Sequence, residues 1–352
     1  MAHEEPVLCG LAGRTARITL NRPRALNALT HPMVTAIDAA LTEWERDGRV
    51  AAVVIDGAGT RGLCAGGDIR AIHEDARTGG GASAAFWRDE YRLNARIARY
   101  PKPYIALMDG IVMGGGVGVS AHGSVRIVTE RSVVAMPETG IGLVPDVGGT
   151  YLLSRAPGEL GTHLALTGAL MRAGDAVLCG LADHFVGADR LPDLLTALAA
   201  PGSDPLETVR AYTSPVPADG LGADRAWIDA CYAADSVEEI TERLLTHGHR
   251  AAAEAARTLV TRSPTALKAT LAALRRAREL PTLEQVLDQE YRASCAALVT
   301  HDLREGIRAQ VIDKDRDPHW SPKELAEVTD ADVARFSAVP PGGDLGLGRR
   351  LP

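Results

Sequence analysis

No run of uncharged apolar residues approaches the roughly 20 needed to cross a bilayer, although 46% of the 352 residues are hydrophobic. A basic excess is also missing: 38 Lys and Arg stand against 45 Asp and Glu, for a net charge of −7. That balance offers no electrostatic footprint for nucleic acid or an anionic membrane surface. It leaves room for local basic clusters that hold a phosphorylated ligand. Cysteine is scarce: Cys9, Cys64, Cys179, Cys231 and Cys295 are scattered, with no Cys-x-x-Cys and no Cys/His ligand spacing. Free thiols in a reducing compartment are expected, and no metal site. Residues 1–13 carry His3, Glu4 and Glu5 and lack the basic-then-apolar order of a signal or transit peptide. The expectation is a cytoplasmic protein. No internal repeat of fixed period is present.

What is present is an alternation of strand and helix signals from about residue 15 to 190. Arg17–Leu20 alternates like a short strand, and Asn21-Arg22-Pro23 ends it. Thr30 followed by His31-Pro32 opens a helix, because threonine caps and proline tolerates the first turn. Met33, Val34, Ile37, Ala40, Leu41 and Trp44 then recur at helical spacing. Ala51–Ile55 and Tyr104–Leu107 are continuous apolar runs that read as buried strands. Ser124–Val128 and Ser132–Ala135 are shorter strand signals. The alternation predicts an α/β core over residues 10–200. Residues 200–217, rich in Pro, Gly, Ser and Asp, read as a linker. A helical C-terminal region over 218–337 follows, with Ser236 and Thr282 placed as helix caps. Residues 338–352, rich in Pro and Gly, read as a disordered tail.

Chemistry concentrates between residues 64 and 149. Gly114-Gly115-Gly116 follows an apolar strand and precedes a plausible first helical turn. N–H groups there lack intrahelical partners, and glycine lets a ligand approach the backbone. Gly66-Gly67, after Cys64-Ala65, offers the same from another element. Two such clusters can supply two N–H groups to one developing oxyanion. Glu138 and Asp146, eight residues apart and each preceded by proline, can supply an acid, a base or a nucleophile. Taken singly, the glycines are also ordinary turns and the two acids ordinary loop carboxylates. Cys64 has no neighbouring base to activate it and reads as a small buried residue. His122 reads as a helix-end histidine, and Ser120 follows no nucleophile-elbow pattern. Arg22, Arg24 and Arg70 are candidates for coenzyme A phosphates, with plain surface solvation as the alternative.

The sequence resembles the crotonase (enoyl-CoA hydratase/isomerase) superfamily. Asn21-Arg22-Pro23-Arg24-Ala25-Leu26-Asn27-Ala28-Leu29, Cys64-Ala65-Gly66-Gly67-Asp68-Ile69-Arg70 and Gly110-Ile111-Val112-Met113-Gly114-Gly115-Gly116-Val117-Gly118 match its landmarks. Ala135 to Gly149, Leu164 to Gly168 and Ala182 to Val186 resemble its 3-hydroxyisobutyryl-CoA hydrolase branch. Ser263 to Lys268, Glu290-Tyr291-Arg292, His301-Asp302, Glu305-Gly306 and Ile312 to Asp315 extend the likeness into the C-terminal half. The resemblance covers residues 10–337. It implies a crotonase-like spiral of repeated ββα units with a helical C-terminal region. It also implies an acyl-CoA thioester held between the N–H groups of Gly67 and Gly115, with Glu138 as the catalytic glutamate and Asp146 at a second acidic position. Glu90 falls on a further substrate-contacting position, although the residue alone reads as an exposed helix carboxylate. The substrate region implied is Glu90, Gly67, Asp68, Ile69, Arg70, Gly115, Glu138 and Asp146, with Arg22, Arg24 and Ala25 toward coenzyme A.

One departure bears on the reaction. Hydratases of this superfamily resemble Gly-Gly-Gly-Cys-Glu at the glycine run, where this chain has Gly118 in place of the second glutamate. Asp146 stands where they commonly carry glycine. Adding water across a double bond calls for two carboxylates around one water, and Gly118 cannot provide one. The resemblance therefore implies hydrolysis of a short branched 3-hydroxyacyl-CoA, with no metal or organic redox cofactor. The rivals are an enoyl-CoA hydratase or isomerase and a non-catalytic CoA-binding assembly protein. Expected partners are the acyl-CoA and, in a homo-oligomer, a second copy; no nucleic acid and no membrane.

Overall fold

The computed structural model describes residues 5–218 and 220–348. Its described residues form two compact units: one from 1–67, 92–134 and 170–219, the other from 68–91, 135–169 and 220–352.

The first unit is built on a six-stranded sheet in the order Val7–Ala12, Thr15–Leu20, Ala52–Gly57, Tyr104–Met108, Val125–Val128 and His184–Phe185. The first pair is antiparallel and the other pairs are parallel. Central parallel strands are covered on both faces, so they read as unbroken apolar runs. Every residue of Tyr104–Met108 is buried. The two-strands-then-helix order recurs: Val7–Ala12 and Thr15–Leu20 lead to the helix His31–Glu45, and Tyr104–Met108 and Ile111–Met113 lead to Gly115–Gly118. Helix His31–Glu45 buries the stripe expected of it, from Met33 to Trp44. One apolar cluster joins Val54, Ile105, Leu107 and Ile127 to Leu194, Leu198 and Val209. The edge strand Val7–Ala12 gave no sequence signal, because all of its residues but Val7 are exposed and no apolar alternation is needed.

The second unit is mostly helical, and hydroxyl caps start several of its helices. Ser263 Oγ accepts from Ala266 N at 3.1 Å, Thr282 Oγ1 from Gln285 N at 3.3 Å and Thr300 Oγ1 from Leu303 N at 3.2 Å. Such caps satisfy first-turn N–H groups and are each worth about 1 kcal/mol. Residues 135–169 belong with these helices rather than with the sheet, so the units interleave instead of following one another as a core over 10–200 and a helical region over 218–337. Close backbone approach explains the grouping. A Cβ on Gly142 would lie 2.5 Å from the Asp302 backbone, and one on Gly306 would lie 2.5 Å from that of Ile141.

Two further expectations are corrected. The supposed linker 200–217 contains the helix Pro205–Tyr212. Its Pro and Asp are start signals rather than linker residues: Asp204 accepts from Leu206 N and Glu207 N, and Pro205 occupies the first turn. The expected disordered tail is anchored through its described part. Asp344 pairs with Arg292, and the N–H groups of Leu347 and Gly348 donate to Asp288 at 2.9 Å each. Residues 349–352 of that stretch lie outside the described residues.

Candidate active site

In the first unit, the two glycine clusters are fastened to each other by backbone. Cys64 N–H donates to Ile111 O at 3.1 Å, and Met113 N–H donates to Cys64 O at 3.0 Å. Gly116 sits so near that a Cβ there would meet Cys64 O at 2.3 Å. This close approach is what the glycine is for. Gly66 has φ of +114°, and a Cβ built on it would lie 3.9 Å from Gly115 N. Gly66 therefore lies beside the backbone of Gly114 and Gly115. Gly67 is partly exposed while Gly115 is buried. Gly115 opens the short helix Gly115–Gly118, in whose first turn an N–H has no intrahelical acceptor. Gly118 is buried in the same turn. Cys64 is buried beside Gly66, as a small core residue. Ser120 donates to Gly116 O at 2.6 Å, a local helix bond rather than a nucleophile's setting.

In the second unit, four carboxyl groups come together. Glu90 lies on the helix Gly81–Ala98, and Glu138 opens the 3-10 turn Glu138–Ile141. Asp146 precedes the short helix Gly149–Leu153, and Glu290 lies on the helix Leu283–Ala297. None is more than 6% exposed. Glu138 Oε2 and Glu90 Oε1 have no hydrogen-bond partner. Burial raises Glu138 well above the ordinary carboxylate range, the neighbouring Asp146 adds to that, its own backbone opposes it and Glu290 adds a little more. Burial and then Asp146 raise Glu90 in the same way. Burial lifts Asp146 to about 6, opposed by its hydrogen bond from Tyr91 and by its own backbone. Burial lifts Glu290 to about 8 against bonds from Thr150 and Gly148. Like charges so close cannot all ionise together. Burial and mutual repulsion thus push all four groups above the ordinary carboxylate range, and carboxyls so shifted can offer an acid and a base side by side.

Local backbone aims these groups. Gly142, with φ of +73°, closes the Glu138–Ile141 turn, and Leu143 N–H donates to Glu138 O at 3.0 Å. Arg262 donates to Thr167 O, and Ser263 N–H donates to Thr139 O at 3.3 Å, which ties the turn to the helix Pro264–Glu279. At Asp146 the chain turns sharply: Val147 has φ of +53°, Gly148 has φ of +82°, and Gly149 N–H donates to Asp146 O at 2.6 Å. Tyr91 OH donates to Asp146 Oδ2 at 2.7 Å and shares a 2.7 Å bond with Ser294 Oγ. Glu290 accepts from Gly148 N at 2.6 Å, from Thr150 N at 2.8 Å and from Thr150 Oγ1 at 2.5 Å.

Glu90, Glu138 and Asp146 are thus buried as near neighbours, and the reading of Glu90 as an exposed carboxylate is corrected. Tyr91, Glu290 and Ser294 were not anticipated. Glu290 stood in a matched segment, but no local pattern links it to Gly148. Asp68 and Ile69 are half-buried at the start of the helix Ile69–Ala76. Arg70 is exposed and donates to Val311 O at 2.7 Å. In the first unit, Arg22 donates to Ala28 O at 2.6 Å, while Arg24 and Ala25 are exposed. Among the described residues no group of three or more His, Cys, Asp or Glu is arranged to hold a metal ion.

Known proteins resemble this chain over nearly its full length. The enoyl-CoA hydratase/isomerase family profile matches residues 15–337. The 3-hydroxyisobutyryl-CoA hydrolase of Danio rerio, named as mitochondrial, is 44% identical over 95% of this chain and 90% of its own length. The protein of the same name from Homo sapiens is 43% identical over 94% of this chain and 87% of its own. Among solved structures, a carnitinyl-CoA dehydratase from Mycobacterium thermoresistibile is 52% identical with a TM-score of 0.94, over 99% of this chain and all of that one. An enoyl-CoA hydratase from Rhodobacter sphaeroides is 46% identical with a TM-score of 0.90, over 96% of this chain and 98% of that one.

Proposed function

The chain belongs to the enoyl-CoA hydratase/isomerase family and has a crotonase fold, and from that premise we propose that it hydrolyses the thioester of 3-hydroxyisobutyryl-CoA to the free acid and coenzyme A. The observation that carries the reading is the buried, unpartnered Glu138 Oε2 beside Asp146. A buried carboxylate oxygen with no partner costs about 1–3 kcal/mol or more. Sites that keep such a group use it for chemistry. The relatives named as 3-hydroxyisobutyryl-CoA hydrolases support the choice of substrate.

In this reading the thioester oxygen accepts from the N–H groups of Gly67 and Gly115, which stabilise the charge of the tetrahedral intermediate. Losing one such donor typically costs about 3–4 kcal/mol in the transition state. Glu138 supplies the base that activates water, or itself attacks the acyl carbon to give an anhydride that water then opens. Either way the C–S bond breaks, one oxygen from water enters the acid, and the thiolate leaves with a proton. Asp146, with its value near 6, can hold that proton or orient the water. Glu90 and Asp146 accept the substrate's hydroxyl. Asp68, Ile69 and Arg70 line the acyl side, and Arg22, Arg24 and Ala25 face coenzyme A. The chemistry uses no metal or redox cofactor. Release of 3-hydroxyisobutyrate places the step in valine breakdown. The scattered free thiols agree with a cytoplasmic setting.

The enoyl-CoA hydratase reading is favoured by the name of the Rhodobacter sphaeroides structure. It is opposed by Gly118, which puts no carboxylate at the glycine run. The test of the main reading is a thiol-release panel over acyl-CoAs. A site that bonds a hydroxyl leaves polar groups unpaired when the hydroxyl is missing, so 3-hydroxyisobutyryl-CoA is expected to exceed isobutyryl-CoA by about 10⁴-fold in kcat/KM. Equal rates would remove the hydroxyl from the recognition scheme.

A further inference from the structure

Three residues bear on Asp146 without being among the groups assigned to the reaction. Tyr91 is fully buried, and its one hydroxyl touches both Asp146 Oδ2 and Ser294 Oγ at 2.7 Å. Glu290 accepts the N–H groups of Gly148 and Thr150, which flank Gly149 at the start of the helix after Asp146. Glu290 and Ser294 are four residues apart on the helix Leu283–Ala297 and so lie on one face of it.

We propose that Tyr91 is a positioning residue for Asp146, and that the helix Leu283–Ala297 holds this acid from two directions, its side chain through Ser294 and Tyr91 and its backbone turn through Glu290. The proposal rests on Asp146 taking part in the proposed hydrolysis.

Donor chemistry sets the polarity of the chain. An ionised carboxylate only accepts, and each hydroxyl has one hydrogen to give. With Asp146 ionised, Tyr91 must donate to it, and the Tyr91 oxygen must then accept from Ser294. The order is Ser294 to Tyr91 to Asp146. Each bond polarises the next, and no solvent reaches Tyr91 to substitute. The backbone half is equally constrained. Val147 is β-branched yet has φ of +53°, a conformation such residues adopt only where their surroundings enforce it. The Glu290 carboxylate, gripping N–H groups on the far side of that turn, is the enforcing group. The titratable groups facing Asp146 are Glu90 and Tyr91 from the helix Gly81–Ala98, Glu138 from its 3-10 turn and Glu290 from the helix Leu283–Ala297. Among the described residues Tyr91 is the side-chain donor whose bond favours the ionised form of Asp146.

Tyr91→Phe removes the hydroxyl and keeps the ring. Thiol release from 3-hydroxyisobutyryl-CoA is measured from pH 5 to 9 in wild type, Tyr91→Phe, Ser294→Ala and Asp146→Asn, with melting temperatures in parallel. Loss of a hydrogen bond to the ionised form raises a carboxyl's pKa. The limb of the kcat profile that reports Asp146 should therefore move to higher pH in Tyr91→Phe, by about one unit. Here kcat should fall on the order of 10²-fold, the scale of a lost preorganised donor, with KM nearly unchanged. Ser294→Ala should shift the same limb in the same direction by less. If Asp146→Asn abolishes turnover while a folded Tyr91→Phe keeps the wild-type profile, the positioning role is overturned and the hydrolase assignment stands. Full turnover in Asp146→Asn overturns the positioning role together with the part given to Asp146 in the reaction, whereas no thiol release from the wild type overturns the hydrolase assignment itself. Should Tyr91→Phe fail to fold, Ser294→Ala decides alone, and an unshifted limb there counts against the proposal.

Discussion

Glu138 and Glu159 are the same residue type in the same structural unit, and they are treated in opposite ways. Glu159 meets the guanidinium groups of Arg275 at 2.8 Å and Arg278 at 2.9 Å, with Thr162 donating as well. Burial alone would raise it, but the bonds from Arg278, Thr162 and Arg275 outweigh burial and hold it below the ordinary carboxylate range. Glu138 leaves Oε2 unpartnered and is pushed up by burial and by Asp146. Glu159 joins the turn before the helix Leu160–Thr167 to the helix Pro264–Glu279, so its charge is used to hold elements together. The charge of Glu138 holds nothing together. A fold that satisfies one glutamate completely and leaves another in deficit a few turns away is showing where its chemistry lies.

The contrast can be broken by exchanging what each glutamate has. Glu138→Gln keeps shape and volume and removes the carboxylate. Turnover should fall by at least about 10²-fold, the usual scale of lost acid–base catalysis, while the melting temperature stays level or rises because an unpaired acid has gone. Thiol-release kinetics beside thermal unfolding would show both. Glu159→Ala should give the reverse: turnover per folded molecule close to wild type, and stability lower by about 2 kcal/mol, since bonds to charged groups are worth roughly 1.5–3 kcal/mol each and two arginines lose their shared carboxylate. Denaturant unfolding measures that loss. If Glu138→Gln destabilises and Glu159→Ala inactivates, the division of labour is wrong.

Much of the sheet was legible because central parallel strands must be apolar throughout, as at Ala52–Gly57 and Tyr104–Met108. The edge strand Val7–Ala12 was not, since it needs no apolar face. The helix Pro205–Tyr212 was hidden because Pro and Asp serve both linkers and helix starts. In the site, the glycine runs and the Glu138 and Asp146 pair stood out through their local setting. Glu90 needed the family likeness, because its segment alone does not reveal that the helix Gly81–Ala98 buries that face. Tyr91, Glu290 and Ser294 could not be read locally at all. Tyr91 meets Asp146 55 residues away and Ser294 203 residues away, and Glu290 meets Gly148 at a separation of 142. Only the folded chain reveals such pairs.

The central claim is that this site cleaves a thioester rather than hydrating a double bond, because the second acid sits at Asp146 and none sits at position 118. The most direct measurement presents one enzyme preparation with 3-hydroxyisobutyryl-CoA and, separately, with crotonyl-CoA, and follows free thiol and enoyl absorbance in both. The account predicts rapid thiol release from the first and little loss of enoyl absorbance from the second. Efficient hydration of crotonyl-CoA with no thiol released from 3-hydroxyisobutyryl-CoA would contradict it.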